Sequence, residues 1–212
     1  MSSNDLNPPM KAPFIVLEGL DGAGTTTQTD LLYKAVLKHG ASVFKTQEPT
    51  TSSIGELIRK ILAGSEKVCP QSMALLFAAD RYEHIHDPEI GIQKRLDAGD
   101  WVISDRYLFS SLAYQGPLIG YDLVAEMNSG IPLPDWTFFL TIDAKVAMKR
   151  LENRKNLDVF ENIEFQTRVE AAYREAFDRY TDKAKILYID ADADSGEIHR
   201  EICKNLQILP IQ

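Results

Sequence analysis

Cysteine is scarce in this chain of 212 residues: only Cys69 and Cys203 occur, far apart and without the spacing of a zinc site or a disulfide framework. Neither device is expected to hold the fold, and a reducing cytoplasm is the simplest location. Long hydrophobic runs are missing too, and a bilayer crossing takes about 20 consecutive apolar residues. The opening MSSNDLNPPMKAP lacks the apolar core of a signal peptide and reads as a loose tail over residues 1–12. Positive charge is in deficit, with 23 Lys and Arg against 31 Asp and Glu, giving a net charge of -8 and a pI near 5.0. Such a surface repels a polyanion, which makes duplex nucleic acid a poor partner. A small phosphorylated ligand remains compatible, because a few arginines in a cleft dominate over short distances. No repeat, heptad pattern or low-complexity block is present.

What the chain does have is 44% apolar and 25% charged residues, enough for one α/β domain over 13–212 with a continuous core. Short runs rich in Val, Ile, Phe and Tyr predict strands over 14–17, 42–46, 101–104, 137–142 and 184–189. Helical spacing predicts helices over 26–38, 54–63, 71–84, 89–98, 145–152, 163–181 and 197–206. Strands alternating with helices imply a parallel sheet with helices on both faces. The polar segment 153–162 suits either a mobile lid or an ordinary loop.

Directly after the first strand comes Gly19-Leu20-Asp21-Gly22-Ala23-Gly24-Thr25-Thr26-Thr27. Glycines at this spacing let backbone amides point inward to cradle an anion, and the following helix adds its positive end. Thr26 falls where G-x-x-x-x-G-K-[ST] places the hydroxyl that holds magnesium. Position 25, however, is threonine where that pattern has lysine. A plain glycine-rich turn from strand to helix is the competing reading.

Other groups recur at strand ends. Asp105-Arg106-Tyr107 ends the third strand, where open α/β sheets bind ligands, with Asp105 suited to a magnesium shell or to orienting the acceptor oxygen and Arg106 to phosphate, and a surface Asp-Arg pair as the bland alternative. Phe77 and Arg81 are one helical turn apart, as a stacking platform and a base reader would be, although aromatics at this spacing usually fill a core. Glu48-Pro49-Thr50 follows the second strand and leads to a helix carrying Arg59 and Lys60, with Ser52 or Ser53 as its cap. Ser110, Ser111, Tyr114 and Gln115 follow Asp105-Arg106 and either line a pocket or finish a helix. Arg150, Arg154 and Lys155 gather positive charge near 153–162, where a solvated helix end is the simpler account.

Taken together, Phe14–Gly24, Glu48-Pro49-Thr50, Ile54–Arg59, Leu76–Arg81, Asp105-Arg106-Tyr107 and Ala113-Tyr114-Gln115 resemble the thymidylate kinase family from about Pro13 to Leu206. That resemblance implies a P-loop NTPase-type three-layer α/β/α fold with a five-stranded parallel sheet and a short lid. It also implies a homodimer, and phosphoryl transfer from ATP to dTMP with Mg2+. By resemblance, Asp21 meets the acceptor's 3′-hydroxyl, Phe77 stacks on thymine, Arg81 bonds its O4 and Ser111 lies near N3. Tyr114 presses on the sugar, beside Ser110 and Gln115, while Arg59 and Arg106 hold the acceptor phosphate near Pro49. Asp105, Glu48 and Thr26 organise magnesium, and Arg150 packs on adenine. Family members generally carry lysine at position 25, and many carry arginine at 47, where this chain has Gln47. Where the phosphate loop lacks arginine, as with Ala23 here, the lid supplies one, which makes Arg154 the candidate cation for the transferring group. Two other readings stay open: another nucleoside or nucleotide kinase on the same fold, and a nucleotide-binding relative with little turnover.

Overall fold

A computed structural model describes residues 12–151 and 162–211. Apolar residues in unbroken succession suit strands covered on both faces, and β1 (Phe14–Gly19) is buried along its whole length. Four further strands join it: β2 (Val43–Gln47), β3 (Trp101–Asp105), β4 (Trp136–Thr141) and β5 (Ile186–Asp190). All pairings are parallel and the order is β2-β3-β1-β4-β5.

That order decides where the helices lie. Right-handed crossovers put a helix on one face when the chain moves one way across the sheet and on the other when it moves back. Only the β1-to-β2 connection runs toward the β2 edge, and it carries α1 (Thr25–His39). The connections to β3, β4 and β5 run the opposite way. They place α2 (Ser53–Leu62), α3 (Pro70–His86), α4 (Ile92–Asp97), α5 (Leu108–Ile119), α6 (Tyr121–Met127), α7 (Ala144–Leu151) and α8 (Ile163–Tyr180) on the far face. The last helix, α9 (Ser195–Leu206), packs on α1. The result is the expected three-layer α/β/α fold with a five-stranded parallel sheet. Because β1 sends its crossover one way while β3 sends its own back, ligands are expected at the carboxyl ends of these two strands.

Most expected elements occur with ends moved by one to three residues. The segment 89–91 lies outside α4, since the Asp87 carboxylate accepts from the amides of Glu89 and Ile90 in a tight turn. Two helices, α5 and α6, were not legible from spacing. Eight of the residues in α5 are buried, and a helix covered nearly all round has no polar stripe to reveal it. The expected tail lies outside the described residues except for Ala12, which is buried. The expected lid lies outside them except for Asn162, whose side chain accepts from the amide of Phe165 and caps α8. Arg154 and Lys155 also fall outside them.

Candidate active site

The loop joining β1 to α1 has two glycines in the left-handed region, Gly22 at φ +89° and Gly24 at φ +94°. A Cβ at Gly22 would sit 2.5 Å from the carbonyl oxygen of Ala147, so the loop is pressed against α7. At Gly24 nothing lies within 4 Å, and only the backbone angle demands glycine. Helix α1 then begins with no side-chain cap and no acid in its first turn. Its leading amides and its dipole are therefore available to an anion. Thr25 is buried, and its methyl carbon is 3.3 Å from where a Cβ on Gly19 would be, so that methyl group rests on the end of β1. Thr26 and Thr27 are exposed.

The Thr26 hydroxyl donates to Asp105 Oδ2 at 2.5 Å, while Asp105 Oδ1 is buried without a hydrogen-bond partner. A hydroxyl and a carboxylate with one uncommitted oxygen, at the rim of a phosphate loop, fit Mg2+, which takes few protein ligands and otherwise keeps water and phosphate oxygens. Among the described residues no group of three or more His, Cys, Asp or Glu is placed to hold a metal alone. Glu48, expected to share in the magnesium site, has both carboxylate oxygens committed elsewhere. Its Oε2 accepts from Arg81 Nε and Nη2 at 2.9 and 2.6 Å, and its Oε1 is 3.0 Å from His84 Nδ1. Its charge is spent on Arg81, and the oxygen pair at the loop is Thr26 and Asp105.

Arg106 has φ +70°, a strained angle for a side-chain-bearing residue. The turn is held by a carboxylate from another element. Glu18, fully buried in β1, accepts from the amides of Tyr107 (3.0 Å) and Ser110 (3.2 Å), from the Ser110 hydroxyl (2.6 Å) and from the Tyr173 phenol (3.0 Å). Helix α5 has no side-chain cap of its own, so Glu18 satisfies its leading amides from β1. Burial raises the Glu18 pKa, opposed by the bond from Ser110 and the charge of Arg106. The Arg106 guanidinium donates to Asp21 Oδ1 (2.6 Å), the Gly19 carbonyl (2.9 Å) and the Ser110 hydroxyl (3.2 Å), and lies 5.3 Å from the Tyr114 ring centroid. Asp21 Oδ2 accepts from Gln166 of α8 at 2.9 Å. Burial, then the negative charge of Asp21, pushes the Tyr114 phenol far up, so it stays neutral.

One cleft brings together Asp21, Glu48, Pro49, Phe77, Arg81, Arg106, Ser110, Tyr114 and Gln115, joined by Leu62, which sequence reading did not single out, and Tyr107, to which it gave no role. Two expected residues stand back from it. Ser111 is buried and accepts from Arg81 at 3.0 Å, and Arg59 donates to the Pro49 carbonyl at 2.9 Å. Arg81, 1% exposed, also bonds the Tyr107 carbonyl (2.9 Å) and the Asn128 side chain. His84 Nε2 in turn meets the Thr46 hydroxyl at 2.6 Å. Asp80 accepts from the Thr50 amide and the Thr50 and Ser52 hydroxyls, and Ser52 caps α2. Asp80, His84 and Asn128 were missed. The available signal was the polar triple Asp80, Arg81 and His84, which falls on the same side of α3 as Phe77.

On the opposite flank of the loop a cavity of about 310 Å³ is lined by Gly22, Ala23, Gly24, Thr27, Gln28 and Arg150, and by Ala193, Ser195 and Ile198 from the start of α9 and the loop before it. Arg150 donates to the Ala191 carbonyl at 2.9 Å, and Gln28 donates to that of Ser195 at 2.8 Å.

A phosphate loop with one cleft on each side, at the carboxyl edge of a parallel sheet, defines the class of phosphate-loop nucleotide kinases. Residues 17–202 match the family model described as thymidylate kinase. The chain is 38% identical over 200 residues to a probable thymidylate kinase of Methanocaldococcus jannaschii, covering 93% of this chain and 97% of that one. It is likewise 38% identical over 207 residues to a probable thymidylate kinase of Thermococcus kodakarensis, covering 92% and 98%. The chain belongs to the thymidylate kinase family.

Proposed function

We propose that this protein transfers the γ-phosphoryl group of ATP to the phosphate of dTMP, giving dTDP and ADP. The observation that carries the reading is the single cleft that joins Phe77, Arg81, Tyr114, Arg106 and Asp21 beside the phosphate loop. In this reading Phe77 stacks on thymine, and the one Arg81 N–H direction left over from its web meets the base carbonyl. Tyr114 closes the floor beneath the sugar, and Asp21, steadied by Arg106 and Gln166, receives its 3′-hydroxyl. Arg106, with Arg59 at the rim, holds the acceptor phosphate in a planar fork. Ser110 and Gln115 complete the wall, and Ser111 holds Arg81 from behind.

ATP lies with its phosphates on the amides of Gly19–Thr27 and its base in the cavity edged by Arg150. Phosphoryl transfer needs alignment and charge neutralisation more than covalent chemistry. Thr26 and Asp105 would hold Mg2+, which neutralises phosphate oxygens when bound. Arg154 reaches the transferring group from the lid over 153–162. The same reading includes a cytoplasmic homodimer. Exposed Leu75, Ala79 and Tyr82 form a stripe on α3, with Leu57 of α2 and Leu123 of α6 exposed on helices that contact it, a patch suited to a like surface.

The test is ADP formation from ATP and Mg2+ against a panel of nucleoside monophosphates. Turnover selective for dTMP is expected, whereas turnover confined to another acceptor would overturn the substrate assignment. Thr25 favours a second reading, nucleotide binding with little turnover, and equilibrium binding of dTMP without ADP formation would establish it.

A further inference from the structure

The phosphate loop lacks the lysine that ordinarily follows the β- and γ-phosphates, and the pattern requires a charge there. Arg106 is committed to Asp21, and Arg81 is locked into its web. A third cavity, a groove of about 580 Å³, opens beside the loop between α1 and the edge strand β2 and has Thr26 and Asp105 on its wall. Among the described residues, Lys45 of β2 is the one lysine or arginine that lines it.

We propose that Lys45 supplies the missing charge, leaving Asp30 to bind the phosphates of the donor nucleotide. The inference rests on the kinase reading above. In the structure the Lys45 ammonium is 2.5 Å from Asp30 Oδ1 and 5.7 Å from the Tyr33 ring centroid. The pair is a surface one, with side chains 41% and 47% exposed, so its hold is weak and a triphosphate outcompetes a single carboxylate. The distance is short. Asp30 follows Thr26 by four residues, about 6 Å along α1. On β2, Lys45 stands two residues, or about 7 Å, below Gln47, which is the Cα partner of Asp105. Lys45 and Gln47 share one face of the strand, and Gln47 is neutral, so the flexible lysine stem has an unopposed path toward Thr26 and Asp105.

A double-mutant cycle between positions 45 and 25 tests this. In the parent, Lys45→Met is expected to lower kcat about a hundredfold, the low end of the range found for loss of one transition-state donor. It should also weaken equilibrium binding of a non-hydrolysable ATP analogue. In a Thr25→Lys background the same change should cost less than about threefold, since the ordinary lysine then does the task. Lys45→Arg should retain most of the activity. Asp30→Asn, which removes the tether and keeps the cation, should bind the analogue at least as tightly as the parent. The proposal is overturned by an unchanged kcat and analogue affinity in Lys45→Met, by an equal loss in both backgrounds, or by an Asp30→Asn defect matching Lys45→Met. A parent with no turnover on any monophosphate would overturn the kinase reading instead, and the analogue titration still decides whether Lys45 meets the phosphates.

Discussion

The two sides of the phosphate loop are built differently. On the side proposed for the acceptor a buried web is largely matched within the polypeptide: Glu48 serves Arg81 and His84, Arg81 also reaches Tyr107, Ser111 and Asn128, and Asp80 organises Thr50 and Ser52. On the donor side the groups wait. Helix α1 begins uncapped, Thr26 is exposed, and Asp105 keeps one buried oxygen without a partner. The contrast teaches how binding and chemistry are divided. A nucleobase needs a rigid frame to be read, so its frame is completed during folding. A phosphate chain brings its own charge and metal, so its site is completed by the ligand.

If that division is right, the acceptor web carries stability and the donor groups carry turnover. Glu48→Ala leaves the buried Arg81 without its counter-ion, and removal of one partner of a buried pair costs about 3–5 kcal/mol. Chemical denaturation should show a loss of that size. Asp105→Asn should lower kcat by about 10² to 10³, the range seen when a transition-state contact is lost, while the denaturation midpoint barely moves. Equal destabilisation by the two substitutions would erase the distinction.

The same division explains what was legible in the sequence. The candidate ligand residues sit at strand ends and helix starts in fixed patterns, and for that reason the sequence pointed to Asp21, Thr26, Asp105 and Arg106, which the structure gathers around the loop. Those that hold such residues in place come from distant segments. Glu18 looks like one more strand residue, yet it caps α5 from 89 to 92 positions away. Asn128, 47 positions from Arg81, is visible only once α6 has folded against α3. The resemblance implied a magnesium role for Glu48, and its contacts with Arg81 and His84 could not be read from its own segment. The strands and the layer order were legible because unbroken apolar runs and alternation fix them. Helix α5 was not, since total burial removes the polar stripe.

A smaller effect sharpens the acceptor side. Phe77 is partly exposed, lines the cleft and packs on the small cluster of Ile58, Ile61 and Met73, and in the proposed function it stacks on the base. Phe77→Ala should raise the KM for dTMP by about 1–3 kcal/mol of lost stacking. The KM for ATP should be unchanged, because the donor cavity lies on the other flank of the loop. A rise in both constants would mean that the two sides are not independent.

The smallest effect belongs to the donor flank and is set by pH. Buried His199 of α9 has its pKa lowered, first by burial and then by the charge of Arg200. Its Nε2 accepts from the amide of Ile211 at 3.2 Å, which requires that nitrogen to be unprotonated. The folded state thus binds a proton more weakly than the unfolded chain, whose histidine titrates at about 6.5. Stability from this group is fully present above that value and is lost as the pH falls through the lower, folded pKa. Since α9 also walls the cavity proposed for ATP through Ser195 and Ile198, mild acid should loosen that flank before the web around Arg81. Hydrogen exchange below pH 6.5 should therefore quicken in α9 while α3 stays protected, and His199→Gln should flatten the dependence, because glutamine keeps an acceptor and has no charge to gain.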